Sequence, residues 1–232
     1  MADALGRRGF LGAAGAAIAA GVAAQAAEPP APPQQGVRIL GIACSPRKGK
    51  TTAAAVQVCL DAAKAVSPKV ETELIELAGL SIPGQLAAGL PLGAGERDDF
   101  PAVAAKLADR AVAGIIIGSP VYFNNMSYLA KAFLDRCMVF RKEFGLSGKV
   151  AGIVAVGAAR NGGQELTVQS IQAALLSHEV LVVGTARPTG RAGATLVNQG
   201  DDITGDDFGL ATAKNLGRRV AEVALHMTGL PG

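Results

Sequence analysis

The sequence predicts an α/β fold: a parallel sheet with helices packed on both faces. Three observations carry this. Short apolar runs rich in β-branched residues alternate along the chain with longer segments of helical composition. The run at 112–118, Val-Ala-Gly-Ile-Ile-Ile-Gly, is apolar throughout, as a strand covered by helices on both sides should be. Five strands, each followed by a helix, demand parallel pairing through right-handed crossovers.

The elements follow in order. Residues 37–43 form a short apolar run closed by Ser45-Pro46 and are expected as the first strand. Residues 52–66 have helical composition and set Val56, Cys59, Leu60 and Ala63 on one face. Residues 70–77 alternate and form a second strand. A helix at 101–110 starts with Pro101, whose fixed φ suits the first helical position. The third strand at 112–118 leads to a helix at 126–141, and a fourth strand at 150–156 to a helix at 164–177. A fifth strand at 180–184 and a closing helix from about 207 to 227 complete the chain. No internal repeat or linker divides this stretch, so residues 37–228 are expected as one domain.

Composition narrows the function. The 232 residues carry a net charge of +3 with 18% charged residues, which disfavours both disorder and a nucleic-acid-coating surface. Aromatics make up 4% with no Trp, against a stacking platform for single strands, so no nucleic-acid partner is expected. Cys44, Cys59 and Cys137 share no CxxC spacing, against a zinc ribbon or a disulfide scaffold. His178 and His226 have no metal-spaced partner, and no metal site is expected. The acidic residues Asp201, Asp202, Asp206 and Asp207 lack calcium-loop spacing and are expected to solvate and cap the last helix.

The first residues are an address. Arg7-Arg8 precedes Phe10-Leu11 and an uncharged Ala/Gly-rich run to Ala27, with Ala24-Gln25-Ala26 as a small-x-small cleavage site. The pair resembles a twin-arginine export signal, with Gly where Lys is common at position 12. Residues 1–26 are therefore expected as a signal and residues 27–36 as a Pro-rich linker, which points to a periplasmic or otherwise exported protein. The uncharged run is barely long enough to span a bilayer, so an uncleaved anchor stays open beside cleavage.

Ligands of open parallel sheets bind beyond the carboxyl ends of the strands where strand order reverses, so the loops after strands one, three and four are where chemistry is expected. The first, Cys44-Ser45-Pro46-Arg47-Lys48-Gly49-Lys50-Thr51-Thr52, joins a strand to a helix start with hydroxyls, three cations and a Gly. Free N–H groups and the helix dipole favour a phosphate there. Gly49-Lys50-Thr51 could end a P-loop, but Cys44 stands where its first Gly belongs and neither the third nor the fourth strand ends in an Asp for magnesium.

The later loops favour another reading. Ser45-Pro46-Arg47-Lys48 is followed by Ser119-Pro120-Val121-Tyr122, then Met126-Ser127, Lys131, Phe133, Asp135 and Arg136, and then by Arg160-Asn161-Gly162-Gly163-Gln164-Glu165. These three motifs in this order resemble the flavodoxin-like NAD(P)H-dependent FMN reductases, above all the branch with iron–sulfur flavoproteins and multimeric flavodoxins. Residues 209–219 are similar to that branch's last helix, and the likeness covers about residues 37–227.

The resemblance implies a three-layer sandwich with a five-stranded parallel sheet in the order 2-1-3-4-5. It implies bound FMN, NAD(P)H as donor, a small-molecule or protein acceptor, and a dimer or tetramer that completes the flavin site. Ser45, Arg47, Lys50, Thr51 and Thr52 would then hold the 5′-phosphate. Pro120, Val121 and the backbone of Tyr122, Phe123, Asn124 and Asn125 would edge the ring, with Tyr122 and Phe123 as stacking faces, although Tyr122 could equally cap the sheet. Arg160, Asn161, Gly162 and Gly163 would close the pyrimidine end, where a donor stabilises reduced flavin. The flavin does the redox work, so no catalytic side chain is required; the rival function is an electron carrier with no small-molecule turnover.

The remaining residues have plainer roles. Arg136 is expected to pair with Asp135 or a neighbour, outside the site. All three cysteines are expected to be small core residues, although a lowered thiol pKa is conceivable for Cys44 beside the phosphate loop. Two departures from the branch stand out. Residues 78–100 hold no Cys where iron–sulfur relatives carry a cluster, so no iron–sulfur centre is expected. Asn124 stands where relatives often have Gly, and its side chain could crowd or hydrogen-bond the ring.

Overall fold

A computed structural model describes residues 36–230; the signal reading at 1–26 and all but the last residue of the linker lie outside them. Chain order is β1 (Val37–Ala43), α1 (Thr51–Lys64), β2 (Val70–Glu76), α2 (Phe100–Ala108), β3 (Val112–Pro120), α3 (Tyr128–Arg136), β4 (Val150–Gly157), α4 (Gln164–Leu176), β5 (Leu181–Val182), β6 (Ala194–Val197) and α5 (Asp207–Met227). Short 3₁₀ turns at Gly84–Ala88 and Cys137–Phe140 supplement them.

The sheet runs β2-β1-β3-β4-β5, all parallel, with β6 also paired to β4. This is the flavodoxin-like order. Strand periodicity sorts the core into two layers. Leu40, Ile42, Ile115, Ile117, Ile153 and Ala155 face the layer of α2, α3 and α4, while Ile39, Ile116, Val154 and Val156 face α1 and α5. Both faces are dry because both are covered, which is why these strands read as continuous apolar runs. Order reverses between β1 and β3, so the crevice beyond their carboxyl ends is where a ligand belongs.

Three expectations need correction. The fifth strand is not one run at 180–184: only Leu181 and Val182 form ladder partners, with Val150 and Ala151. The chain leaves the sheet at residues 183–193 and returns as β6, which pairs Ala194–Val197 with residues 154–157 of β4. One sheet position is thus shared by two half-strands, and among the described residues the sheet has six strands. The helix expected at 126–141 ends at Arg136 and tightens into the turn at Cys137–Phe140; Ser127 starts it by accepting from the N–H of Ala130 at 3.1 Å. The helix expected to begin at Pro101 begins one residue earlier and stops at Ala108.

Arg136 pairs with neither Asp135 nor any residue next to it in sequence. Asp135 accepts from Lys131, four residues before it, at 2.6 Å. Arg136, 7% exposed in its side chain, reaches Asp98 through two bonds of 2.8 Å, donates to the Pro83 carbonyl at 3.3 Å and lies 4.6 Å over the Phe100 ring. The long segment after β2 is pinned to α3 by this bidentate pair. Arg136 holds the Asp98 carboxyl below the ordinary range.

Candidate functional site

Four loops meet at the carboxyl edge of the sheet. In the first, Ser45 is buried and its Oγ accepts from the N–H of Arg47 at 3.1 Å, turning the chain sharply after β1. Gly49 has φ +65° with open space around it, and its N–H donates to Glu76 at 2.6 Å, so the loop is tied to β2. Lys50 caps α1 in extended conformation without a side-chain bond, and the first turn holds no acidic residue. Thr51 and Thr52 are buried there. The positive end of α1 is therefore uncapped, as an anion site requires.

A pair of buried hydroxyls joins the first loop to the second. Ser127 Oγ donates to the Cys44 carbonyl at 2.6 Å, and the Ser127 N–H donates to Ser119 Oγ at 3.0 Å. Backbone bonds continue the ladder, from Cys44 N–H to the Gly118 carbonyl and from Val121 N–H to the Val156 carbonyl. Pro120 and Val121 thus sit at the very end of paired sheet. Beyond them Tyr122 and Asn125 exchange two bonds of 2.9 and 3.0 Å around Phe123 at φ +51° and Asn124 at φ +62°. Positive φ at both central positions defines a type I′ turn. This explains position 124: a turn of this type favours Gly or Asn there. Phe at 123 is costly by the same rule, and its side chain is fully exposed at the rim.

The third loop closes against this turn. Gly163, at φ +93°, starts α4, and a Cβ there would lie 2.3 Å from Asn124 Oδ1, so only Gly lets the two loops abut. Asn125 Oδ1 accepts from Ser170 Oγ of α4 at 3.0 Å. The buried Gln164 holds the loop from within, donating to the carbonyls of Ala159 and Leu196 and accepting from the Gly162 N–H. Arg160 turns elsewhere: its guanidinium pairs with Asp206, donates to the Thr195 carbonyl at 3.0 Å and lies over the Phe208 ring.

Sequence reasoning missed the fourth loop, 198–206. Its Asp206 caps α5 as expected of that acidic run, accepting from Gly209 N–H at 2.9 Å, and also accepts from Val197 N–H at 2.7 Å. Asp201 does something else: its carboxylate bridges Arg47 at 2.6 Å and Lys50 at 3.1 Å. Lys50 and Arg47 hold it below the ordinary carboxylate range. Asn198 begins the loop, bonded through its N–H to the Gly157 carbonyl, and its buried Oδ1 has no partner.

The cysteines lie away from this chemistry. Cys44 and Cys137 belong to one core layer and Cys59 to the other, all buried, and burial raises all three thiols, Cys137 to about 12. A lowered Cys44 pKa is thereby overturned. Among the described residues no group of His, Cys, Asp or Glu is arranged to hold a metal ion.

A family model for NADPH-dependent FMN reductases matches residues 37–192. The chain belongs to this FMN reductase family. An iron–sulfur flavoprotein of Methanocaldococcus jannaschii is 40% identical to the reductase over 191 residues, 81% of this chain and 97% of that one. An NAD(P)H dehydrogenase (quinone) of Trichlorobacter lovleyi is 32% identical over 127 residues, 49% of this chain and 62% of the relative. Among solved structures, a flavodoxin, WrbA-like protein from Agrobacterium tumefaciens shares the fold with a TM-score of 0.59 at 22% identity, over 82% of this chain and 99% of that one. The reductase is an oxidoreductase of an FMN-binding family. An iron–sulfur cluster does not fit it: a cluster takes four thiolates, and its three cysteines are buried on opposite sides of the sheet.

Proposed function

We propose that this FMN reductase is an exported enzyme that binds FMN in the crevice between β1 and β3 and oxidises NAD(P)H at the expense of a quinone or other small acceptor. The uncapped start of α1, flanked by Arg47 and Lys50 at the strand-order reversal, is the observation that carries the reading. Ser45, Thr51 and Thr52 add hydroxyls around the phosphate, and the α1 N–H groups add donors. The turn at 122–125 presents its backbone to the ring edge, with Tyr122 and Phe123 as faces. Asn161 and Gly163 close the far end through their backbone, since the Gly162 N–H is engaged with Gln164 and the Arg160 side chain with Asp206.

FMN, when bound, supplies hydride acceptance and onward electron transfer. The protein's part is to fix the phosphate, hold the ring at the sheet edge and leave one face open to donor and acceptor in turn. The exposed Phe123, Tyr128 and Leu166 suit coverage by a second copy, consistent with a dimer or tetramer that completes the site. Arg7-Arg8 and the Ala-rich run support export by the twin-arginine route, with cleavage after Ala26 or retention as an anchor.

The test is a visible spectrum of purified protein before and after FMN addition and desalting, then steady-state NAD(P)H oxidation with quinones and free flavins. Retained flavin with turnover supports the enzyme. Retained flavin without turnover on any acceptor leaves an electron carrier, and a colourless protein that fails to hold FMN overturns the assignment of the crevice. Export is checked by fractionation with Arg7 and Arg8 both changed to Lys, which should strand the protein in the cytoplasm.

A further inference from the structure

We propose that Asp201 is the resident counter-ion of the phosphate loop, holding Arg47 and Lys50 in the ligand-free protein and yielding them to a bound phosphate, so that filling the site releases the turn at 199–202. The inference rests on the reading of the crevice as an FMN site. One carboxylate oxygen meets Arg47 at 2.6 Å and the other meets Lys50 at 3.1 Å. A single anion with two oxygens thus already sits on both cations of the loop.

The loop is built to present that anion. Gln199 and Asp202 exchange bonds of 2.8 and 3.2 Å across Gly200 at φ +62° and Asp201 at φ +65°, a second type I′ turn that puts a non-glycine residue in the left-handed region. Asp tolerates that region better than most residues. The turn is separate from the helix cap, which Asp206 supplies. All three charged side chains are 39–48% exposed, and ion pairs so exposed are weak. A phosphate dianion brings more charge and a third acceptor oxygen, and only it also satisfies the α1 N–H groups. No such donors serve the carboxylate: among the described residues its hydrogen-bond partners are the two cations.

The experiment compares the wild-type apoprotein with Asp201→Asn in FMN titrations by fluorescence quenching, with riboflavin as the phosphate-free probe and amide exchange over residues 199–203 as a second readout. We expect D201N to bind FMN roughly three- to tenfold more tightly, with riboflavin affinity unchanged. FMN should speed exchange at Gln199 and Asp202 in the wild type, and D201N should show the faster exchange before any ligand is added. Equal or weaker FMN binding by D201N would make Asp201 a positioning residue for the cations and overturn the inference while leaving the FMN site intact. Slower exchange over 199–203 on FMN addition to the wild type would do the same. Failure of the wild type itself to hold FMN would bring down the site reading and this inference together.

Discussion

Replacing Asp98 by Ala removes both carboxylate oxygens from Arg136, together with the Oδ1 that accepts from the Phe100 N–H at 3.1 Å. The guanidinium keeps the Pro83 carbonyl and the Phe100 ring, but its side chain is only 7% exposed, so water cannot replace two charge-assisted bonds of 2.8 Å. Stranding a buried charge in this way typically costs about 3–5 kcal/mol. The retained carbonyl and ring contacts favour the lower end, about 3 kcal/mol. For a domain of this size each kcal/mol moves the melting temperature by about 2–4 °C, so a fall of roughly 6–12 °C is expected in a thermal melt of the apoprotein. The companion variant Asp98→Ala with Arg136→Met removes the stranded charge and should recover much of the loss. The contribution is also signed in pH. Arg136 lowers the folded Asp98 pKa, so the stabilisation is present above the ordinary carboxylate range and disappears as pH falls through the lowered value. A loss under about 1 kcal/mol for D98A, or a double variant less stable than the single one, would refute the reasoning.

The strained turn at the rim makes the opposite prediction: Phe123→Asn with Asn124→Gly supplies the residues a type I′ turn favours and should stabilise the apoprotein by about 0.5–1 kcal/mol in urea melts. Gly217 in α5 lies so close to α1 that a Cβ would stand 1.9 Å from the Cys59 carbonyl oxygen. Gly217→Ala should therefore cost about 1–3 kcal/mol despite the better helix propensity of Ala, read as a lower urea midpoint. Burial holds all three thiols protonated, so the folded protein should react with a disulfide probe at pH 8 only on the timescale of unfolding, and with three equivalents once denatured.

The sheet was legible because its strands are covered on both faces. Ile115, Ile116 and Ile117 divide between two cores, and such a run admits no exposed face. The break in the fifth position was not legible. Val183 and Gly184 continue the apolar pattern of Leu181 and Val182, and β6 is four residues set in Gly- and Thr-containing chain. A loop position was read correctly where a local rule applies: Asp206, in the acidic run before the last helix, caps it. What sequence could not show is pairing over distance. Arg160 finds Asp206, 46 residues away, and Arg47 finds Asp201, 154 residues away. Charged residues in loops carry no periodicity, so only the fold decides which of them meet.

The divided outer position has a consequence for how molecules of this protein behave in company. An all-parallel sheet ends in two rows of unpaired backbone groups, each able to recruit a strand from another molecule. On the outer side that row is two residues of β5 and four of β6, separated by an excursion at 183–193 that folds back on itself through the bond from Thr185 N–H to the Arg191 carbonyl. On the other side β2 carries Glu71, Glu73 and Glu76 along a strand of seven. One border is too short and interrupted to template growth, the other too charged. In a chain that is half hydrophobic, both borders of the described sheet thus carry a feature that opposes strand addition.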